Sequence, residues 1–155
     1  MASRPRPDAA VDDLPAGLSN VLFEAWLVSR SVHARIDEAV AATGLDADEF
    51  AIYSVLAGSD GLTPTALAEW MAAPATTVSS YLNRFERRGH VRRLTNPADR
   101  RSHLLRLTAA GRRAHRDAGE LFLPLLDQVN ATIGDELPDT RSRLIELRRA
   151  VDAIE

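Results

Sequence analysis

Cysteine is absent from the sequence. That excludes disulfides, thiolate metal sites and any thiol redox switch. Lysine is absent too: all nineteen basic residues are arginine, which we read as genomic composition bias. No apolar run approaches the roughly 20 residues of a membrane span. No charged-then-apolar signal segment opens the chain, so a soluble, cytoplasmic protein with no membrane partner is expected. Missing as well are HExxH, GxSxG and a phosphate-binding glycine loop. The histidines His33, His90, His103 and His115 are dispersed. The neighbouring carboxylates of Asp37 and Glu38 would point apart on a helix. Neither an enzyme nor a cofactor is expected.

The 155 residues suffice for one domain with a real core. Their net charge of −3 hides an asymmetry. From Arg84 to Arg116, eleven arginines face only Glu86 and Asp99, so this window is +9 and the remainder −12. Such local separation marks an electrostatic footprint for a polyanion.

That window overlaps the most patterned stretch, Thr63 to Thr108. Thr63 suits an N-cap and Pro64 the position after it. Leu67, Trp70 and Met71 follow at helical spacing as an expected buried stripe. The connection Ala72-Ala73-Pro74 is short and made of small residues. Pro74 suits a first helical position, and Gly89 the left-handed residue that ends a helix. On a wheel of about 100° per residue, Val78, Tyr81, Leu82 and Phe85 fall on one side. Thr76, Ser80, Asn83 and Arg87 fall on the other, flanked by Thr77, Ser79 and Arg84. A solvated surface helix has a similar composition, but two helices joined this tightly form a helix-turn-helix. In the major groove Asn reads adenine, Arg reads guanine, and Ser or Thr serves either. After Gly89, Val91–Thr95 and His103–Thr108 read as strands around the turn Asn96-Pro97-Ala98-Asp99. Leu105 and Leu107 point one way, Leu104 and Arg106 the other. Asp99 and Arg101 are expected to pair and brace the ribbon tip while Arg100 projects outward. A helix-turn-helix followed by a hairpin is a winged helix.

Three runs carry a family resemblance: Leu82-x-x-Phe85-Glu86-x-x-Gly89-x-Val91-x-Arg93, then Asn96-Pro97-x-Asp99-Arg100-Arg101-Ser102, then Leu107-Thr108-x-x-Gly111. Together they resemble the MarR family of winged helix-turn-helix transcriptional regulators, over roughly Leu18 to the C-terminus. Ser80 stands where many members carry a longer basic side chain. The resemblance implies a homodimer in which the first and last helices of two copies intertwine. It also implies a repressor on a pseudo-palindromic double-stranded operator, with Thr76, Thr77, Ser79, Ser80, Asn83, Arg84 and Arg87 on the recognition helix. From the wing, Arg93, Arg100 and Arg101 would meet DNA, with Asp99 as brace. A small aromatic or phenolic ligand between the dimerisation helices and the reader would weaken binding.

The expected fold is therefore mainly α with a small β-hairpin wing. Residues 1–13 are expected to be a disordered tail and 14–155 a single domain. Within it, 46–108 form the winged helix-turn-helix, and 18–43 and 109–155 are mainly dimerisation helices. Asp46 and Glu49 resemble a capping box. Thr108 is expected to cap a long helix to about Ile133, kinked at Pro124. A last helix, from about Glu136 to Ile154, carries Leu144, Leu147, Val151 and Ile154 on one stripe. Trp26, His33 and Tyr53 are the candidate ligand-pocket residues: Trp stacks on flat molecules and His can hydrogen-bond an acid. Two further readings stay open. One is a metal-responsive regulator using the His33-x3-Asp37 spacing, although no metal site is assigned. The other is a winged helix used only for protein contacts.

Overall fold

The computed structural model describes residues 20–154. The tail expected over 1–13 lies outside the described residues, as does Leu18. Helix α1 spans Val21–Val40, capped by Asn20, whose side chain accepts from the N–H groups of Leu22 and Phe23. It ends in one 3-10 turn, Ala41–Thr43, and in Gly44 at φ 74°. Helix α2, Ala47–Ala57, opens with the expected capping box: Asp46 accepts from Glu49 N at 2.7 Å, and Glu49 accepts from Asp46 N at 3.4 Å. Asp37 of α1 satisfies a third amide of that turn, accepting from Ala47 N at 2.6 Å.

Helix α3, Pro64–Trp70, starts from Thr63, whose hydroxyl accepts from Ala66 N at 3.1 Å. Helix α4, Ala75–Arg87, follows after four residues. Pro74 is its N-cap, with ψ 143°, and not its first helical residue as expected. The turn is tight because Ala72 takes φ 48°. Ala73 N then reaches back to Ala68 O at 3.0 Å and closes α3. An alanine there costs roughly 1 kcal/mol relative to glycine. Trp70 departs from the expected stripe: Leu67 is fully buried, but Trp70 is 56% exposed. A seven-residue helix has too few turns to bury three large side chains against one neighbour.

Strands β1, Val91–Thr95, and β2, His103–Leu107, pair antiparallel in the register Val91↔Leu107 to Thr95↔His103. Leu62 joins their inner edge through Leu105 N→Leu62 O, 2.7 Å. Thr108 caps α5, Ala109–Ile133, which runs unbroken through Pro124. After a 3-10 turn, Gly134–Glu136, comes α6, Leu137–Asp152.

The core lies under the reader, where Ile52, Tyr53 and Leu56 of α2 meet Leu67, Val78, Leu82, Phe85 and Leu105. The outer helices are different. Val21, Leu22, Trp26, Val28 and Val32 of α1 are exposed, as are Leu121, Leu123, Leu126 and Val129 of α5. Helix α6 buries no residue, and its Leu144 and Val151 are exposed. Among the described residues no helix is long and apolar enough to cross a membrane.

Candidate nucleic-acid interface

Helix α4 divides along its length. Val78, Leu82 and Phe85 are buried, with the Phe85 ring edge-on to Tyr53 at 4.7 Å. On the opposite side Thr76, Thr77, Ser79, Ser80, Asn83 and Arg87 are all exposed. Among the described residues none of these six side chains has a hydrogen-bond or ion-pair partner. Thirteen residues make a rod about 20 Å long, a fit for the major groove.

Arg84 does not join that face. Its guanidinium lies 2.9 Å from Glu49, in the first turn of α2, and 3.8 Å from Asp46, the N-cap of that helix. It also sits 5.0 Å over the Tyr81 ring. At about 100° per residue Arg84 falls beside the buried stripe, where the acidic start of α2 captures it.

The wing also departs in part from expectation. Arg93 Nε donates to Glu86 Oε1 at 2.6 Å, tying the base of β1 to the end of α4. Its charge is thereby partnered within the protein. Asp99 braces the tip, but through the backbone: its carboxylate accepts from Arg101 N at 3.0 Å and makes no ion pair with the guanidinium. Aspartate two residues before an amide closes an Asx-turn more readily than it reaches a long side chain. Asn96 does the same for Ala98 N at 3.0 Å and donates to Ser102 Oγ at 2.8 Å. Two local turns thus shape the tip without using Arg100 or Arg101, which are exposed and unpaired among the described residues. Arg92, Arg113 and Arg116 are exposed as well, and extend the positive surface toward α5.

The candidate ligand residues are not brought together. Trp26 stacks on Phe23 at 5.8 Å and is 56% exposed. His33 lies between Asp37, at 3.4 Å, and Asp48, at 3.7 Å. Tyr53 is fully buried, with its hydroxyl 2.9 Å from His90 Nδ1. Tyr53 leaves α2 toward Phe85 of α4 and toward His90, just before β1. A cavity of about 670 Å³ lies elsewhere, between α1 and α5, lined by Arg35, Glu38, Leu121, Leu125, Gln128 and Ile133 among others. Among the described residues no group of three or more His, Asp or Glu is arranged to hold a metal ion.

The sequence reading missed Tyr81 as a link. Its hydroxyl donates to Asp48 Oδ2 at 2.8 Å, and burial, with Asp48 beside it, pushes its pKa up to about 12. Burial similarly raises Tyr53 to about 12. His90 is held below its usual 6.5 by burial and then by the charge of Arg88. His115 is lowered by burial and by Arg116. Both imidazoles thus stay neutral in the folded chain where the unfolded chain takes up protons. Their stabilising contribution is complete above pH 6.5 and is lost as the pH falls toward the lowered native values. Thermal melts are expected to show a lower midpoint at about pH 5.5 than at about pH 7.5. His90→Gln with His115→Gln is expected to flatten that difference, and an unchanged difference would contradict the assignment.

Residues 43–102 match the model of the MarR family. Among solved structures, the chain is similar to the transcriptional regulator MosR of M. tuberculosis in complex with DNA. The two are 28% identical over 86% of this chain and 97% of that one, at a TM-score of 0.74. The S. aureus MepR–DNA complex shares the fold at 17% identity, covering 85% of this chain and 96% of that one, TM-score 0.75. So does the PcaV regulator of Streptomyces coelicolor with its natural ligand, at 24% identity over 88% and 95%, TM-score 0.72. Comparison with curated protein sequences gives no match.

Proposed function

We propose that this chain, which belongs to the MarR family of winged helix-turn-helix transcriptional regulators, acts as a homodimeric repressor reading a pseudo-palindromic duplex. The observation that carries this reading is the row of six unpartnered polar side chains on α4 beside a wing tip with two unpaired arginines. Such a surface offers donors and acceptors to base edges and charge to phosphates. Each chain holds one reader. The exposed apolar residues of α1, α5 and α6 call for cover, and a second copy covers them most economically. Two-fold symmetry then places two readers on successive grooves of one face of the duplex.

Release by a small molecule completes the proposal. The PcaV structure contains that protein's natural ligand, and here a cavity of about 670 Å³ is lined by residues of both α1 and α5. A ligand acts only through different affinities for two dimer geometries. An aromatic or phenolic compound that favours a dimer with mismatched reader spacing would lower DNA affinity.

Sedimentation velocity of the protein alone, and with a duplex selected from a random library, tests the proposal. A dimer is expected in both cases, footprinting two half-sites about 10 bp apart or a multiple of that. A monomer that still binds the selected duplex with full affinity would contradict it.

A further inference from the structure

Glu49 is the buried charge of this protein, 1% exposed, among the described residues. It lies in the first turn of α2 and faces α4. Arg88 donates to its Oε2 at 2.9 Å. Arg84 brings a nitrogen within 2.9 Å of Oε1 but off the hydrogen-bond axis, so that contact is charge attraction alone. Arg84 also stacks over Tyr81, whose hydroxyl is held by Asp48. Tyr81, Arg84 and Arg88 stand at i, i+3 and i+7, one stripe of α4. Tyr81 and Arg88 fasten that stripe to Asp48 and Glu49 by directional hydrogen bonds, while Val78, Leu82 and Phe85 supply adhesion.

These contacts differ in what they fix. Apolar packing is non-directional and tolerates rotation of a helix about its axis. A buried carboxylate gripped by two arginines one turn apart does not. Buried ion pairs add little stability over apolar residues of equal volume, and their best-attested use is to fix one arrangement among several. The same turn is bound to α1 from its other side, by Asp37 on Ala47 N and by His33 beside Asp48. One helical turn therefore joins the reader to the first helix.

We propose that Glu49 is a positioning residue for DNA recognition. It sets the rotation of α4 that presents Asn83 and Arg87 to the groove, and it withholds Arg84 and Arg88 from the phosphates. The inference rests on the reading that α4 enters DNA.

The test compares wild type, Glu49→Gln and Arg88→Ala in the full-length protein. Each is titrated with a duplex selected by the wild type and with a random duplex of equal length, at several salt concentrations. Glu49→Gln keeps the side-chain volume and removes the charge. It is expected to reduce the preference for the selected duplex about tenfold and to steepen the salt slope by about 1 per reader, as a freed guanidinium finds a phosphate. Arg88→Ala, at an exposed helix end, is expected to reduce the preference in the same direction without steepening. It carries the test should Glu49→Gln fail to fold. A residue serving stability alone would lower the melting temperature and leave the preference unchanged. An unchanged preference in folded variants overturns the proposal. A wild type that prefers no duplex overturns instead the assignment of α4 as a DNA reader.

Discussion

Gly111→Ala is expected to lower the melting temperature by about 5–10 °C, the opposite of what alanine ordinarily does inside a helix. Helix propensity alone favours alanine over glycine by about 1 kcal/mol. For a chain of this length that would raise the midpoint by roughly 2–4 °C. The surroundings reverse the sign. A Cβ on Gly111 would fall 2.1 Å from His90 O and 2.9 Å from His90 C, both backbone atoms that cannot swing aside. His90 O also accepts from Thr108 N at 2.9 Å, and the Thr108 hydroxyl caps Gly111 N at 3.1 Å. The start of α5 is thereby laid directly onto the start of β1. Moving it away breaks the cap and strains the wing base, at about 2–3 kcal/mol net. Calorimetry of the two proteins decides the matter. A higher midpoint for Gly111→Ala would show that this close approach is not structurally demanding.

This glycine also shows what was legible in the sequence. Its place in Leu107-Thr108-x-x-Gly111 supported a resemblance, but the clash that requires glycine joins residues 90 and 111, and no local pattern reveals it. Elements set by local chemistry could be read directly. Thr63, Asp46 and Thr108 cap helices as their side chains dictate, and period-two alternation placed Leu105 and Leu107 inside. The exposed face of α4 followed from helical phase alone, except at Arg84. There the phase was ambiguous, and a buried carboxylate thirty-five residues earlier decided it. Arg93 was drawn away likewise by Glu86. The Asp99 brace was foreseen with Arg101 but through its guanidinium, whereas the backbone N–H of Arg101 is the donor, because backbone amides compete well for a short carboxylate. Trp26 and His33 share a helical spacing on α1, but Tyr53 of α2 is buried against Phe85 and His90, and nothing in one helix states how its neighbour is turned.

Arg100 and Asn83 carry the second large expectation because the proposed reading assigns them to different grooves. Arg100 stands on a tip shaped without it, so its charge is available to DNA. Narrow A·T-rich minor grooves attract arginine through their potential and give little base-specific information. Arg100→Ala is therefore expected to weaken all duplexes together and to lower the salt slope by about 1 per site. Asn83 lies on the free face of α4, where its amide can pair with a base edge. Asn83→Ala is expected to cost about 1–3 kcal/mol at one base pair and to relax specificity there.

The measurement that bears most directly on the DNA-reading assignment is binding of wild type, Asn83→Ala and Arg100→Ala to one randomised duplex library at two salt concentrations. The predicted result is loss of preference at a single position of each half-site for Asn83→Ala, and a uniform, salt-sensitive loss for Arg100→Ala. A change of base preference at the half-site centre for Arg100→Ala, with none for Asn83→Ala, would contradict the assignment of α4 to the major groove and the wing to the minor groove.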